Sequence, residues 1–160
     1  MSQKHENATI YYYYAAASNA GEVLLGALTE TMPGSIALHG CTTAGELPEQ
    51  GAAGTMVLFD DMSPAHMPAT LACLYIVRDK REAPVLQGGY QRVCRLPCRI
   101  GQLVDECLAC LRLSAYARLP QQITLGGDVL LDWRDGALLH PRLGSVDLTD
   151  KERDILIALY

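Results

Sequence analysis

Six consecutive β-branched and aromatic positions, Thr9-Ile10-Tyr11-Tyr12-Tyr13-Tyr14, open the patterned part of the chain. Such residues fit a pleated surface, and an apolar run without alternation predicts a central strand covered on both faces. The spacing then turns helical through Val23, Leu24, Ala27, Leu28 and Met32, with Ser18 or Asn19 as cap and Pro33-Gly34 as stop. Short strands are predicted at 35–38, 55–59 and 72–77, separated by Gly, Pro and helix-forming segments. A last strand at 92–96 leads through Pro97 into a helix that carries Ile100, Leu103, Val104, Cys107 and Leu111 on one face. Strands alternating with helices imply right-handed crossovers and an α/β domain built on a doubly wound, five-stranded parallel sheet.

The pattern changes after residue 113. Residues 114–122 hold Pro120 and paired glutamines without periodicity and read as a linker between a domain at 1–113 and a second at 123–160. In the second, 128–133 alternates as a strand, Asp135-Gly136 supplies a hairpin turn, and 137–140 returns. Thr149 precedes Glu152 by three, a capping box that predicts a helix through Ile155, Leu156 and Leu159. Antiparallel sheet is thus expected to follow parallel sheet.

Composition narrows the setting. Nearly half of the 160 residues are apolar, enough for a sizeable core. The net charge of −5 argues against a chain that wraps nucleic acid along its whole surface, though a local basic element remains compatible with it. The first residues, Met1 to Glu6, form no apolar signal segment, and no run of about 18 apolar residues is present. A cytoplasmic protein with no membrane span and with reduced thiols is expected.

Three local matches point to one family. Val57-Leu58-Phe59-Asp60-Asp61-Met62-Ser63-Pro64 resembles the end of the third strand of a receiver domain, with Asp60 at the phosphoacceptor position. Leu96-Pro97-Cys98-Arg99-Ile100-Gly101-Gln102-Leu103 through Leu111-Arg112 resembles the Lys-Pro-Phe turn and last helix of an OmpR-type receiver. Gly127 to Asp132, with Val146-Asp147-Leu148-Thr149-Asp150-Lys151-Glu152, is similar to the first sheet and first helix of the family's winged-helix output domain. Together they cover nearly the whole chain in the order found in OmpR/PhoB-type response regulators. The resemblance implies a flavodoxin-like receiver followed by the first part of a winged helix, and a role in two-component phosphorelay signal transduction and transcription regulation.

The same alignment removes the receiver's chemistry. The acidic cluster that would hold Mg²⁺ after the first strand is Ala15, Ala16 and Ala17, the hydroxyl residue of the fourth strand is Val77, and the lysine is Leu96. Phosphoryl transfer rests on metal charge and positioning, so Asp60 alone is expected to be a strand-end carboxylate, hydrated or capping a turn, and not phosphorylated. Asp60 and Asp61, as neighbours on a strand, would point to opposite faces and chelate poorly. What remains is an atypical receiver that serves homodimerisation and presents two DNA-binding domains to half-sites. The family's dimer face would span residues 80–112, where Arg92, Arg95, Arg99 and Arg112 either pair with Asp105 and Glu106 across it or, the plainer alternative, form a solvated helix face. The recognition helix would follow Tyr160, so DNA binding and its residues lie beyond this chain. Either the chain is a piece of a longer protein, the favoured reading, or a fragment that does not read DNA. The need for a sensor kinase is left open.

Other features offer alternatives. Cys94, Cys98, Cys107 and Cys110 have partly ligand-like spacing for zinc or iron–sulfur, but read mainly as core thiols, with a redox role dependent on a low thiol pKa near Cys98. Gly40-Cys41-Thr42-Thr43-Ala44-Gly45-Glu46 resembles a short signature of FIST-type ligand-sensing domains, or is a small-residue loop before a helix. His39, His66 and His140 are scattered, and no Ser or Cys has an evident His-Asp partnership. No enzyme activity and no cofactor are expected. The alternative to transcription control is a protein-interaction, small-ligand or redox-sensing module.

Overall fold

The computed structural model describes residues 8–61, 70–78 and 90–160. Met62, Ser63, Pro64, His66 and the first part of the expected dimer face, from Lys80 through residue 89, lie outside them. The chain divides into two compact units, Met1–Arg118 and Leu119–Tyr160.

The first unit is an α/β structure around a five-stranded parallel sheet. Its strands are β1 (Ala8–Tyr13), β2 (Ile36–Cys41), β3 (Thr55–Asp60), β4 (Ala72–Val77) and β5 (Tyr90–Arg95), in the order β2-β1-β3-β4-β5. The apolar runs account for the centre of this order, since β3 is buried beyond Thr55 and β4 is buried throughout. Helix α1 (Asn19–Thr31) starts where the Ser18 hydroxyl accepts the Gly21 amide at 3.0 Å, and α2 (Ile100–Leu113) packs against β3, β4 and β5 and against α1.

Side-chain parity divides the sheet. In register across it, Tyr13, Phe59 and Tyr75 form one row, with Tyr13 edge-on to Phe59 and Phe59 stacked on Tyr75 at 4.8 Å. Cys41, Val57, Leu71, Cys73 and Val77 complete that apolar cluster. The alternate positions Ile10, Tyr12, Met56, Leu58, Leu74 and Ile76 are buried on the other face. There Tyr12 stacks on Tyr14, and Tyr14 presses against α1 at Gly21, where a Cβ would come within 2.5 Å of the ring.

Two expectations need correction. No α-helix forms between β2 and β3; a single 3-10 turn (Ala44–Glu46) stands there, opened by the Thr43–Glu46 capping box and ended at Leu47, whose backbone is extended ahead of Pro48. The stretch 114–122 is structured at both ends. Ser114–Tyr116 forms a 3-10 turn in which the buried Ser114 hydroxyl donates to Leu111 O and accepts from the Gly54 amide, and Gln122 begins the next sheet.

The second unit is a four-stranded antiparallel sheet, β6 (Gln122–Gly126), β7 (Val129–Asp132), β8 (Ala137–His140) and β9 (Gly144–Asp147), in sequential order, followed by α3 (Asp150–Ala158). Strands β6 and β9 were not expected: β6 starts inside the presumed linker, and β9 is exposed throughout and carries no apolar alternation. The capping box of Thr149 and Glu152 forms as predicted. Ile123, Leu131, Trp133, Ala137 and Ile157 are the buried apolar residues, and the Trp133 indole N–H donates to Pro120 O at 2.7 Å.

Truncating Trp133 to Ala removes the largest fully buried side chain of a small unit and is expected to cost about 3–5 kcal/mol. Urea unfolding followed by circular dichroism should show the second unit losing its transition in W133A, while Thr149→Ala costs only about 1 kcal/mol.

Candidate functional site

The site lies at the C-terminal ends of the central strands, on the side where the chain order reverses between β1 and β3. Crevices of open α/β sheets form at such switch points. Asp60 ends β3 and is 7% exposed. The sequence predicts a strand-end carboxylate, hydrated or capping a turn; the structure gives it two side-chain partners. Arg78, one residue past β4, clasps it with two parallel bonds, Nε to Oδ1 at 2.8 Å and Nη2 to Oδ2 at 2.7 Å. The Tyr12 hydroxyl, from β1, donates to the same Oδ2.

Local structure explains why these three meet. Asp60, Ile76 and Cys94 share one row across β3, β4 and β5, and Arg78 stands two positions beyond Ile76, hence on the same face. Tyr12 belongs to the row of Leu58 and Leu74, and its long side chain reaches along the strand direction to Asp60. Val77, expected at the hydroxyl position, belongs to the apolar cluster of the opposite face, so the residue aimed at Asp60 is Arg78. Asp61 leaves the strand with φ 58° and continues the ladder through its amide to Ile76 O at 3.1 Å.

The electrostatics are closed within the chain. A buried carboxylate demands a partner, and a planar guanidinium supplies charge and two directed donors together. Hydrogen bonding to Asp60 raises the Arg78 pKa. Burial first, and then the bond to Asp60, holds the Tyr12 phenol well above its ordinary value, so Tyr12 stays protonated and donating. Both Asp60 oxygens are engaged by protein donors.

Ala15, Ala16 and Ala17 follow β1 and are exposed, offering no ligand. Leu96 lines an open cavity of about 540 Å³ with Arg78, Pro97 and Cys98, and the Leu96–Pro97 bond is cis.

Among the charges expected to cross a dimer, Arg92 and Glu106 instead pair within the chain. Arg92 Nη2 lies 2.6 Å from Glu106 Oε2, its Nε 2.8 Å from the same oxygen, and its Nη1 donates to the Tyr90 hydroxyl. The reason is proximity: β5 lies directly beneath α2. Arg95, Arg99, Asp105 and Arg112 remain exposed.

The four cysteines of the last strand and helix do not act as one set. Cys94 and Cys98 touch, Sγ to Sγ at 3.7 Å, while Cys107 and Cys110 are buried in the core. Among the described residues no three His, Cys, Asp or Glu side chains gather to hold a metal ion. His39 packs beside Tyr11, and His140 Nδ1 accepts the Arg142 and Leu143 amides, a local turn. Among the described residues no helix is long and apolar enough to cross a membrane. The chain matches no protein-family model and no curated protein.

Two measurements test the clasp. Arg78→Met should cost about 2 kcal/mol, less than the roughly 3–5 of a fully buried pair, because a third of the Arg78 side chain meets water. Adding Asp60→Asn should recover part of that loss, read from the tyrosine near-ultraviolet signal during urea unfolding. The raised Tyr12 pKa stabilises the fold fully below about pH 10 and is lost as pH rises above it. Burial also pushes Cys73, Cys94 and Cys107 up to about 12, with the same sign. Alkaline destabilisation should therefore be weaker, but not absent, in Tyr12→Phe, as seen by comparing urea midpoints at rising pH.

Proposed function

We propose that this chain is a phosphorylation-independent regulator of the OmpR/PhoB response-regulator type, whose receiver-like first unit serves as a dimerisation scaffold for an output domain of which the second unit is the first part. The observation that carries the reading is the occupation of Asp60 by Arg78 and Tyr12. The carboxylate sits at the end of β3, and the strand order β2-β1-β3-β4-β5 is the flavodoxin-like order. Where a working receiver would hold Mg²⁺ beside a free carboxylate, this site has an internal cation, so the charge is balanced without phosphate.

The second unit supports the same family. Four antiparallel strands followed by a helix with a capping box have the arrangement expected of the start of a winged helix. In this reading the helix that reads DNA is not α3 but one that follows it in the family. Self-association uses the outer surface of β5 and α2, with Arg95, Arg99, Asp105 and Arg112 on it, and the protein needs no cofactor.

The reading makes two linked predictions. Acetyl phosphate, or beryllofluoride with Mg²⁺, should leave the amide spectrum around Asp60 unchanged; a saturable shift centred there would overturn it. Sedimentation should show a concentration-dependent dimer that reverts to monomer in Arg95→Glu, Arg112→Glu, and a wild-type chain that stays monomeric at all concentrations would remove the scaffold role.

A further inference from the structure

The Cys94 and Cys98 thiols lie in contact at the one place where the fold lets one of two cysteines meet solvent. Cys94 is on β5 and is 3% exposed, whereas Cys98 stands just ahead of α2, is only half-buried, and lines the open cavity beside Arg78 and Leu96. Their sulfurs are 3.7 Å apart, against a disulfide length of about 2.05 Å, so side-chain rotation over less than 2 Å brings them to bonding distance. The other four cysteines, Cys41, Cys73, Cys107 and Cys110, are all buried.

We propose that Cys94 and Cys98 form a reversible redox pair, with Cys98 the sulfur that meets a small-molecule disulfide and Cys94 the one that resolves it. The Cys98 thiol loses its proton to solvent and its sulfur attacks the incoming disulfide. One Cys98–S bond forms, the small molecule's S–S bond breaks, and the first small thiol leaves with a proton. Cys94 then gives up its proton and attacks the Cys98 sulfur, expelling the second small thiol. The pair loses two electrons and two protons, and the small disulfide gains both.

The order follows from access. Burial, the bond to Cys98 and the charge of Glu106 make Cys94 slow to ionise. It becomes useful only once an activated sulfur is held against it, where proximity replaces encounter. The product is a covalent tie between the end of β5 and the start of α2. The inference rests on these two side chains and stands whatever the chain binds.

The test uses the full chain with excess oxidised glutathione in mildly alkaline buffer, followed by alkylation and tryptic mapping. Two of the six thiols should disappear, and fragments Val93–Arg95 and Leu96–Arg99 should be found joined. Dithiothreitol should part them. Cys94→Ser should accumulate one glutathione on Cys98, and Cys98→Ser should keep its remaining five thiols free. Should the folded wild-type chain retain all six thiols, or should Cys98 be joined to Cys107 or Cys110, the pair has no such role. The wild-type map alone decides this if either serine variant fails to fold.

Discussion

A carboxylate pressed between strands can stay charged only where something opposes the charge, and around Asp60 that demand organises the upper edge of the first unit. Arg78 must leave β4 on the face of Ile76, and Tyr12 must reach along β1, for the two Asp60 oxygens to be satisfied. This couples the ends of three adjacent strands, β1, β3 and β4. Each contributes one side chain to a single network, so loss of any member leaves a buried polar group without its complement.

The same constraint bears on the proposed reading, in which a receiver-like frame is kept without receiver chemistry. In the proposed reading, removing the acidic cluster at Ala15 and Ala16 would leave Asp60 alone in an apolar setting. An arginine one residue beyond β4 resolves that conflict without altering the sheet. The two opposed faces remain packed, with the Tyr13, Phe59 and Tyr75 rings on one side and α1 and α2 on the other. In the proposed reading, function moves from chemistry at the strand ends to the outer surface of β5 and α2.

The parts of the fold that were legible in the sequence are those where burial writes a pattern. Runs such as 55–59 and 72–77 are apolar because both faces of the central strands are covered, and Ser18 and Thr149 announce their helices by cap chemistry. Strand β9 was missed because Gly144-Ser145-Val146-Asp147 is exposed on both faces and pairs through backbone alone. The helix expected after Gly40 stops after one turn, because Pro48 holds Leu47 in extended backbone. At the site, Asp60 was singled out by the resemblance of 57–64 to the end of a receiver strand, but its partners were not. Tyr12 lies 48 residues earlier and Arg78 18 later, and only the parallel register brings them together. Parity offered a signal, since Arg78 falls two beyond Ile76, but using it required the strand order.

Because the cation opposing Asp60 is part of the polypeptide, its local concentration is set by the backbone and not by the medium. A diffusible metal obeys mass action: chelators strip it and the ionic content of the cell titrates it. Arg78 can be neither diluted nor exchanged, so the charge state at this strand end is inherited with the sequence and made afresh with every copy that folds.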